Sequence, residues 1–594
     1  MSASPPPHTI QPNAVYDVVF AGGGTAACIT ASRLAQADQP AHVQPAQCFT
    51  HLAPTSRTLE FTVARPASAL GGRALVLPAG RCVGGASSIN FMMYNRPMAV
   101  DFDEWERCGN AGWGAEEMVP LLKKAEMYEI ASGKESHGYD GPLRVSKGLH
   151  LFEVGKEMIR VASAFEKNRP YAEEGNDFTE KSVNVFYTNP KWIGTNGRRS
   201  DVAHHYVYNL RLANLTVLDG CLVNRIIIEN AIATGVEYSF DARVYPNASK
   251  ETRLVKASRM VVVSAGSMSS PLILERSGVG ARDVLERAGV EVKVELPGVG
   301  ANYEGTFLFP LIHAATDHPF FLPPYKIAED METMDSLLRG DPATWQAATE
   351  YGIDASIRIR PTPEELAEIG CEFTRQWETM LAPHPARPIV MTGVFPGFML
   401  PIDQSTLDHP KFMTVPVSLL YPASKGSLHI ASSDPLAPPD FDSGFLSEYA
   451  DFYLPPSIFL TNHHRVASGR AASPSSAAPT HLSTQISPSA ALRRLRSRGE
   501  VAPVPMDAPD DDAIDVFVRD IIGLTWHSLG TCPMKPREKG GVVDSRLSVY
   551  GVQRLKVVDM SIAPSNVCAN TYSSTIAIAE KAALIITAEL HSSL

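Results

Sequence analysis

The residues whose types and spacing could do chemistry begin near the N-terminus. Tyr16-Asp17-Val18-Val19-Phe20-Ala21-Gly22-Gly23-Gly24-Thr25-Ala26-Ala27 is an apolar run broken by glycines, with a helix-forming stretch from Ala27 to Ala35 behind it. Gly22, Gly24 and Ala27 occupy the fixed places of a G-x-G-x-x-G/A turn. Such a turn holds a diphosphate. Gly22 permits the tight bend, Gly24 lets the anion reach the backbone, and Ala27 is small enough for the helix to pack on the strand. The helix N-terminus supplies N–H groups and positive potential. An ordinary strand–turn–helix would carry the same pattern.

A second stretch, Gly80-Arg81-Cys82-Val83-Gly84-Gly85-Ala86-Ser87-Ser88-Ile89-Asn90-Phe91-Met92-Met93-Tyr94, is dense in small residues. Backbone of this kind can lie against something flat or charged, although a plain glycine-rich loop reads alike. Near the C-terminus stand Trp526-His527-Ser528-Leu529-Gly530-Thr531-Cys532 and Asn570-Thr571-Tyr572-Ser573-Ser574-Thr575. Histidine titrates near neutrality and can take a proton. A lone Trp-His pair equally describes a core histidine bonded to a carbonyl, and Asn570 equally describes a helix cap. His313, His318, His463 and His464 have no such company and read as structural or solvated, and no cluster has metal-ligand spacing, so no metal is expected.

Strands and helices must position these residues. Leu215–Leu218, Val223–Ile228 and Arg259–Ala265 read as strands, the last running into Gly266-Ser267-Met268-Ser269-Ser270-Pro271-Leu272, a second small-residue turn and helix. The natural architecture is α/β, a parallel sheet covered by helices. Helical patterns are expected over Trp113–Tyr128, Glu153–Glu166, Asp512–Ile522 and Ile576–Leu590, and after Asp201. Thr362-Pro363 starts another helix, with Thr362 as cap. Residues 311–450 read as a separate lobe with strands at Val390–Val394, Phe412–Leu420 and Gly426–Ala431, whereas 461–500 is Ser/Ala/Pro/Arg-rich text without periodicity.

Composition bounds the rest. The chain is long enough for more than one domain, and its 44% hydrophobic and 20% charged content is that of a globular protein. A net charge of −11 argues against nucleic acid or an anionic membrane as partner. No apolar run approaches the ~18 residues that span a bilayer. The proline-rich Met1–Pro12 lacks the charged and apolar regions of a signal peptide. Eight scattered cysteines without a C-x-x-C fit reduced thiols, hence an intracellular, cytoplasmic or peroxisomal location.

Taken together, these motifs resemble the glucose–methanol–choline oxidoreductases, and within them the fungal alcohol oxidases. Gly80-Arg81-x-Val83-Gly84-Gly85-x-Ser87-Ser88-Ile89-Asn90 is similar to the first signature of that family and Gly266–Gly280 to its second. Leu296-Pro297-Gly298-Val299-Gly300-x-Asn302, Gly197-Arg198-Arg199-Ser200-Asp201 and the Trp-His and Asn-Thr-Tyr ends extend the likeness. The resemblance implies an FAD-binding Rossmann-like domain over 14–105, 195–310 and 520–594, and a sheet-plus-helices substrate domain over 106–194 and 311–519. It places Gly22, Gly24, Thr25 and Ala26 at the FAD diphosphate, and Gly84, Gly85, Ser88 and Asn90 along the flavin. Val223 would meet the adenine region through its backbone, Asp559 the ribityl–diphosphate, and Asn570 and Thr571 the cofactor at the helix start. His527 and Asn570 would be the catalytic pair, and Phe91 and Trp526 would crowd a pocket for small primary alcohols. The implied partners are that alcohol and oxygen, reduced to hydrogen peroxide, in a chain that can form homo-oligomers.

The chain departs from the family where a second strand should end in an acidic residue for the ribose. Residues 36–47 offer no apolar strand, and the acid after Asp38 is Glu60. Gly305-Thr306 replaces an Asp-His pair, and 455–500 replaces patterned sequence. A same-family dehydrogenase using another acceptor, or a flavin-free relative lacking the ribose strand, are the alternative readings.

Overall fold

The computed structural model describes residues 14–35, 51, 56–149, 151–165, 168–210, 212–249, 251–314, 352–369, 373–396, 412–448, 451 and 518–592. Most of the expected Asp512–Ile522 helix, the 461–500 stretch and the expected second strand near 36–50 lie outside these residues, as do His318, His463 and His464.

The central strand of the first sheet is Arg253–Val263, eleven residues long and closely packed at its C-terminal end. The N-terminal strand Val15–Ala21 runs parallel along one side of it. On the other side, Leu555–Val557 pairs in parallel with Val261, Val262 and Val263, while Ile232–Phe240 pairs antiparallel lower down. Cys221–Glu229 continues the antiparallel part as the far edge.

The sheet therefore keeps the expected parallel strands at its centre and adds an antiparallel half. Its antiparallel half is a hairpin bent at Asn230 and Ala231, whose φ values of 50° and 60° are those of a two-residue turn matching strand twist. Leu215–Leu218 forms no strand: Leu215, Val217 and Leu218 pack half-buried on the core without a ladder. Helices form at Thr25–Ala35, Ala115–Ala125, Glu153–Phe165 and Pro363–Ile369, close to the expected bounds. Thr362 caps the last of these, its Oγ1 accepting from the Glu365 N–H at 3.3 Å. After Asp201 the backbone makes a short π-helix, Ala203–Tyr208.

A second sheet orders Gly523–Leu524, Phe307–Ala314, Phe412–Leu419, Val390–Gly393, Ala355–Ile359 and Phe186–Thr188, each antiparallel to its neighbours. The C-terminal helix Thr571–Ser592 buries Ile576, Ala577, Ala579 and Ala583, and packs against Thr25–Ala35. Glu580, fully buried between them, is held by Arg33 and Lys124, each at 2.7 Å. No helix among the described residues is long and apolar enough to cross a membrane.

Register gives the first sheet its function. Ala21, Val263 and Val557 lie side by side, so the three parallel strands end together. The turns that follow them, at Gly22, Gly266 and Asp559, therefore gather at one edge, where open α/β sheets bind ligands. The outer edge of Val15–Ala21 has no partner strand among the described residues.

Candidate active site and cofactor cradle

The glycine turn can be built only as it is. Gly22 has φ +128°, and a Cβ there would stand 2.2 Å from the Ser264 carbonyl oxygen. The Gly80–Asn90 loop is stitched onto this turn. The Gly84 N–H donates to the Gly23 carbonyl at 2.9 Å, and Thr25 Oγ1 donates to the Gly84 carbonyl at 3.0 Å. A Cβ on Gly85 would come within 3.0 Å of Gly24 Cα, so the two segments touch backbone to backbone. Gly23 and Gly266, by contrast, face open space, since a Cβ at either would meet nothing within 4 Å. Open space beside the glycine turn, at the first turn of an eleven-residue helix with Thr25 and Ala26 at its start, is a setting that suits an anionic diphosphate.

Around this cradle the remaining residues are fixed by hydrogen bonds. Asp559 Oδ2 accepts from the Gly266 N–H at 2.8 Å and Ser270 Oγ at 2.5 Å, and its Oδ1 accepts from the Ser561 N–H at 2.8 Å. This carboxylate thus clamps the second and third turns together. Ser88 Oγ lies 3.1 Å from both the Val83 carbonyl and Asp201 Oδ2. Asn90 Oδ1 accepts from Arg199 Nη1 at 2.8 Å and the Met92 N–H at 3.0 Å, a contact that steadies Met92 at φ 58°. Val223 stands apart, on the far edge strand, where a bulge between Val223 and Arg225 interrupts the ladder. Its carbonyl accepts from Arg276 Nη2 at 3.4 Å, on the helix that follows the second turn.

His527 and Asn570 are brought together from segments 43 residues apart, with Asn570 Nδ2 at 3.1 Å from His527 Nε2. Asn570 immediately precedes the C-terminal helix, and Thr571 is its first residue. The protein wall around His527 desolvates the ring and pushes its imidazole down to about 4, so the ring is neutral at pH 7. Its Nδ1 is buried without a hydrogen-bond partner. Trp526, 39% exposed, stands in the left-handed region at φ 64°, a strained conformation for a bulky residue. Its ring meets Phe91 at 5.5 Å between centroids, which brings the two expected pocket residues together at the position preceding His527. Gly305 lies beneath, 3.8 Å from a built Cβ to the His527 carbonyl oxygen.

Sequence reasoning missed Asn95 and Tyr187. Asn95 Nδ2 donates to Asn570 Oδ1 at 2.8 Å, and Tyr187 OH donates to Asn95 Oδ1 at 3.0 Å. Asn95 directly follows the Gly80–Tyr94 stretch, but no local pattern marks a residue whose partner is 475 positions away.

A chain with two glycine segments packed backbone to backbone, and with a neutral histidine in contact with an amide, matches a known family along most of its length. The GMC oxidoreductase N-terminal model matches residues 16–305 and the C-terminal model residues 422–579. The chain belongs to the GMC oxidoreductases. It is 33% identical to an alcohol oxidase of Pichia angusta over 657 aligned positions, covering 97% of this chain and 95% of that one. An alcohol oxidase of Candida boidinii is 32% identical with the same coverage. Among solved structures, formate oxidase superposes with a TM-score of 0.76 at 20% identity, over 98% of this chain and 99% of that one. An FAD-dependent oxidoreductase from Chaetomium thermophilum gives 0.75 at 22%, over 97% and 100%.

As a GMC oxidoreductase the chain is an FAD-dependent enzyme acting on CH–OH donors. Its residues fit the cofactor at the diphosphate end, where the open space over Gly23 and Gly266 meets the helix N-terminus. At the ribose end no acid closes a strand beside Val15–Ala21 among the described residues. Glu60 is instead engaged by Arg81 at 3.0 Å and Arg243 at 2.7 Å.

Proposed function

We propose that this GMC oxidoreductase oxidises a small primary alcohol to its aldehyde, with oxygen as the final electron acceptor and hydrogen peroxide as the second product. The observation that carries this reading is the contact between the Asn570 amide and the neutral His527 imidazole. Oxidation removes a proton from the hydroxyl oxygen and a hydride from the adjacent carbon. Bound FAD supplies the two-electron acceptor that side chains cannot provide. His527 Nε2, unprotonated at pH 7, takes the proton. An alcohol entering between the two side chains would receive the Asn570 amide hydrogen at its oxygen and give its own hydrogen to Nε2. That pair of bonds fixes the direction of the C–H bond. The imidazolium formed would then stabilise the negative charge that develops as oxygen is reduced. Phe91 and Trp526 close the space beside the pair, which favours methanol and ethanol over longer or branched alcohols.

Oxygen uptake by the purified chain, with methanol, ethanol and longer primary alcohols, tests this reading. Uptake with matching peroxide formation, abolished in His527→Gln, is the expected result. Turnover only when an artificial dye is added would assign the chain to the dehydrogenases of the family. A second reading, a relative that holds no flavin, is favoured by the edge of Val15–Ala21, which has no partner strand among the described residues, and by a sequence with no acid between Asp38 and Glu60. A colourless purified protein would support it.

A further inference from the structure

We propose that Tyr187 and Asn95 are positioning residues that set which end of the Asn570 amide faces His527. Their role presumes that His527 is the base of alcohol oxidation. The contacts form one directed chain, from Tyr187 OH to Asn95 Oδ1 (3.0 Å), Asn95 Nδ2 to Asn570 Oδ1 (2.8 Å), and Asn570 Nδ2 to His527 Nε2 (3.1 Å). Each amide has one accepting and one donating end, so the polarity of the first bond dictates the last. Asn95 and Tyr187 are both fully buried. Water therefore cannot substitute for a partner that turns the wrong way.

Reversal of the chain is the competing arrangement. Asn95 Nδ2 would then donate to the phenol oxygen, Asn570 Oδ1 would face the imidazole, and Nε2 would have to carry the hydrogen. That arrangement strips the buried Tyr187 hydroxyl hydrogen of its acceptor, and burying an unsatisfied donor is costly. The forward direction keeps that hydroxyl satisfied and leaves the Nε2 lone pair facing the amide, the ring hydrogen then lying on Nδ1, which is buried without a partner. Only the forward direction leaves Nε2 able to accept a proton. On this proposal Tyr187 and Asn95 hold the forward direction, and with it the basic tautomer of His527, against the cost of the unpartnered Nδ1–H.

Asn95 is itself anchored to the catalytic helix. Its carbonyl accepts from Ser573 Oγ at 2.7 Å, on the first turn after Asn570. Tyr187 belongs to the edge strand of the second sheet, Phe186–Thr188. The second sheet thereby reaches the base through two side chains.

Asn95→Asp tests this directly, because a carboxylate accepts from Tyr187 and from Asn570 but donates to neither. Asn570 would turn its Nδ2 toward residue 95 and its Oδ1 toward His527. In the flavin-loaded chain, N95D is expected to lower kcat tenfold or more with a smaller change in KM. In an N570A background the same substitution should change kcat less than twofold, whereas a merely structural role would cost as much in both. Tyr187→Phe, which removes the donor but no volume, should lower kcat less than N95D does.

A second readout needs no turnover. With ring nitrogens labelled with nitrogen-15 in the histidines only, the His527 signals are those missing from H527Q. Nε2 should resonate as an unprotonated nitrogen in the wild-type chain and as an N–H nitrogen in N95D. An Nε2–H signal in the wild type overturns the proposal even if N95D fails to fold. So does a wild-type-like kcat and tautomer in folded N95D. A tautomer switch between wild type and N95D, in a wild type that oxidises no alcohol, would instead retire the functional reading and leave the positioning role standing.

Discussion

His527→Gln is the perturbation with the most specific consequences. Glutamine keeps a polar group near the Asn570 amide but cannot act as a base at any accessible pH. General-base catalysis contributes about 10²–10⁴-fold, so kcat/KM for methanol or ethanol should fall by that range. The wild-type pH profile is the sharper half of the experiment. Desolvation takes the imidazole from 6.5 to about 4. That difference corresponds to roughly 3 kcal/mol favouring the neutral ring. Because the folded-state value is depressed, the wild type should hold full kcat/KM as pH falls through 6.5 and lose it only toward 4. The folded protein also binds fewer protons at this site than the unfolded chain between those values. Its stability at this site is therefore undiminished above pH 6.5 and declines as pH falls from 6.5 to 4. Stopped-flow reduction of the loaded enzyme across pH 4 to 8, beside urea unfolding of both chains, reads out each effect. An acid limb centred at or above pH 6.5, or an H527Q enzyme within threefold of wild type, would refute the assignment of His527 as a neutral, desolvated base.

Other expectations follow from local geometry. Gly22→Ala forces a Cβ to 2.2 Å from the Ser264 carbonyl at φ +128°, so the purified variant should lose flavin absorbance and melt well below the wild type. Glu580→Ala removes the buried carboxylate that ties the Thr25–Ala35 helix to the C-terminal helix. Arg33 and Lys124 are part-exposed and can turn to water, but the buried Tyr206 hydroxyl loses the acceptor it now has at 3.2 Å, so the cost should be about 3 kcal/mol. The urea midpoint measures it.

How much of this was legible in the sequence depended on how local the cause was. The glycine turn was readable because Gly22, Gly24 and Ala27 act on their immediate neighbours, and the structure bears out a helix directly behind it. The antiparallel hairpin was not, because Asn230-Ala231 adopts the left-handed turn without the Asn-Gly or Asp-Gly pair that usually announces it. Leu215–Leu218 has strand-like residues but finds no ladder, so burial alone explains its apolarity. His527 and Asn570 were singled out by motif, whereas the Asn95 and Tyr187 side chains carry no motif and acquire meaning only where the second sheet meets the C-terminal helix.

The most direct test of the central claim is the visible spectrum of the purified chain, titrated with methanol or ethanol in the absence of oxygen. Flavin bands near about 370 and 450 nm belong to the cofactor itself. The account predicts that these bands are present, bleach on adding alcohol, and return when oxygen is admitted, with bleaching slowed by His527→Gln. A chain that carries flavin whose bands survive millimolar alcohol unchanged would contradict it.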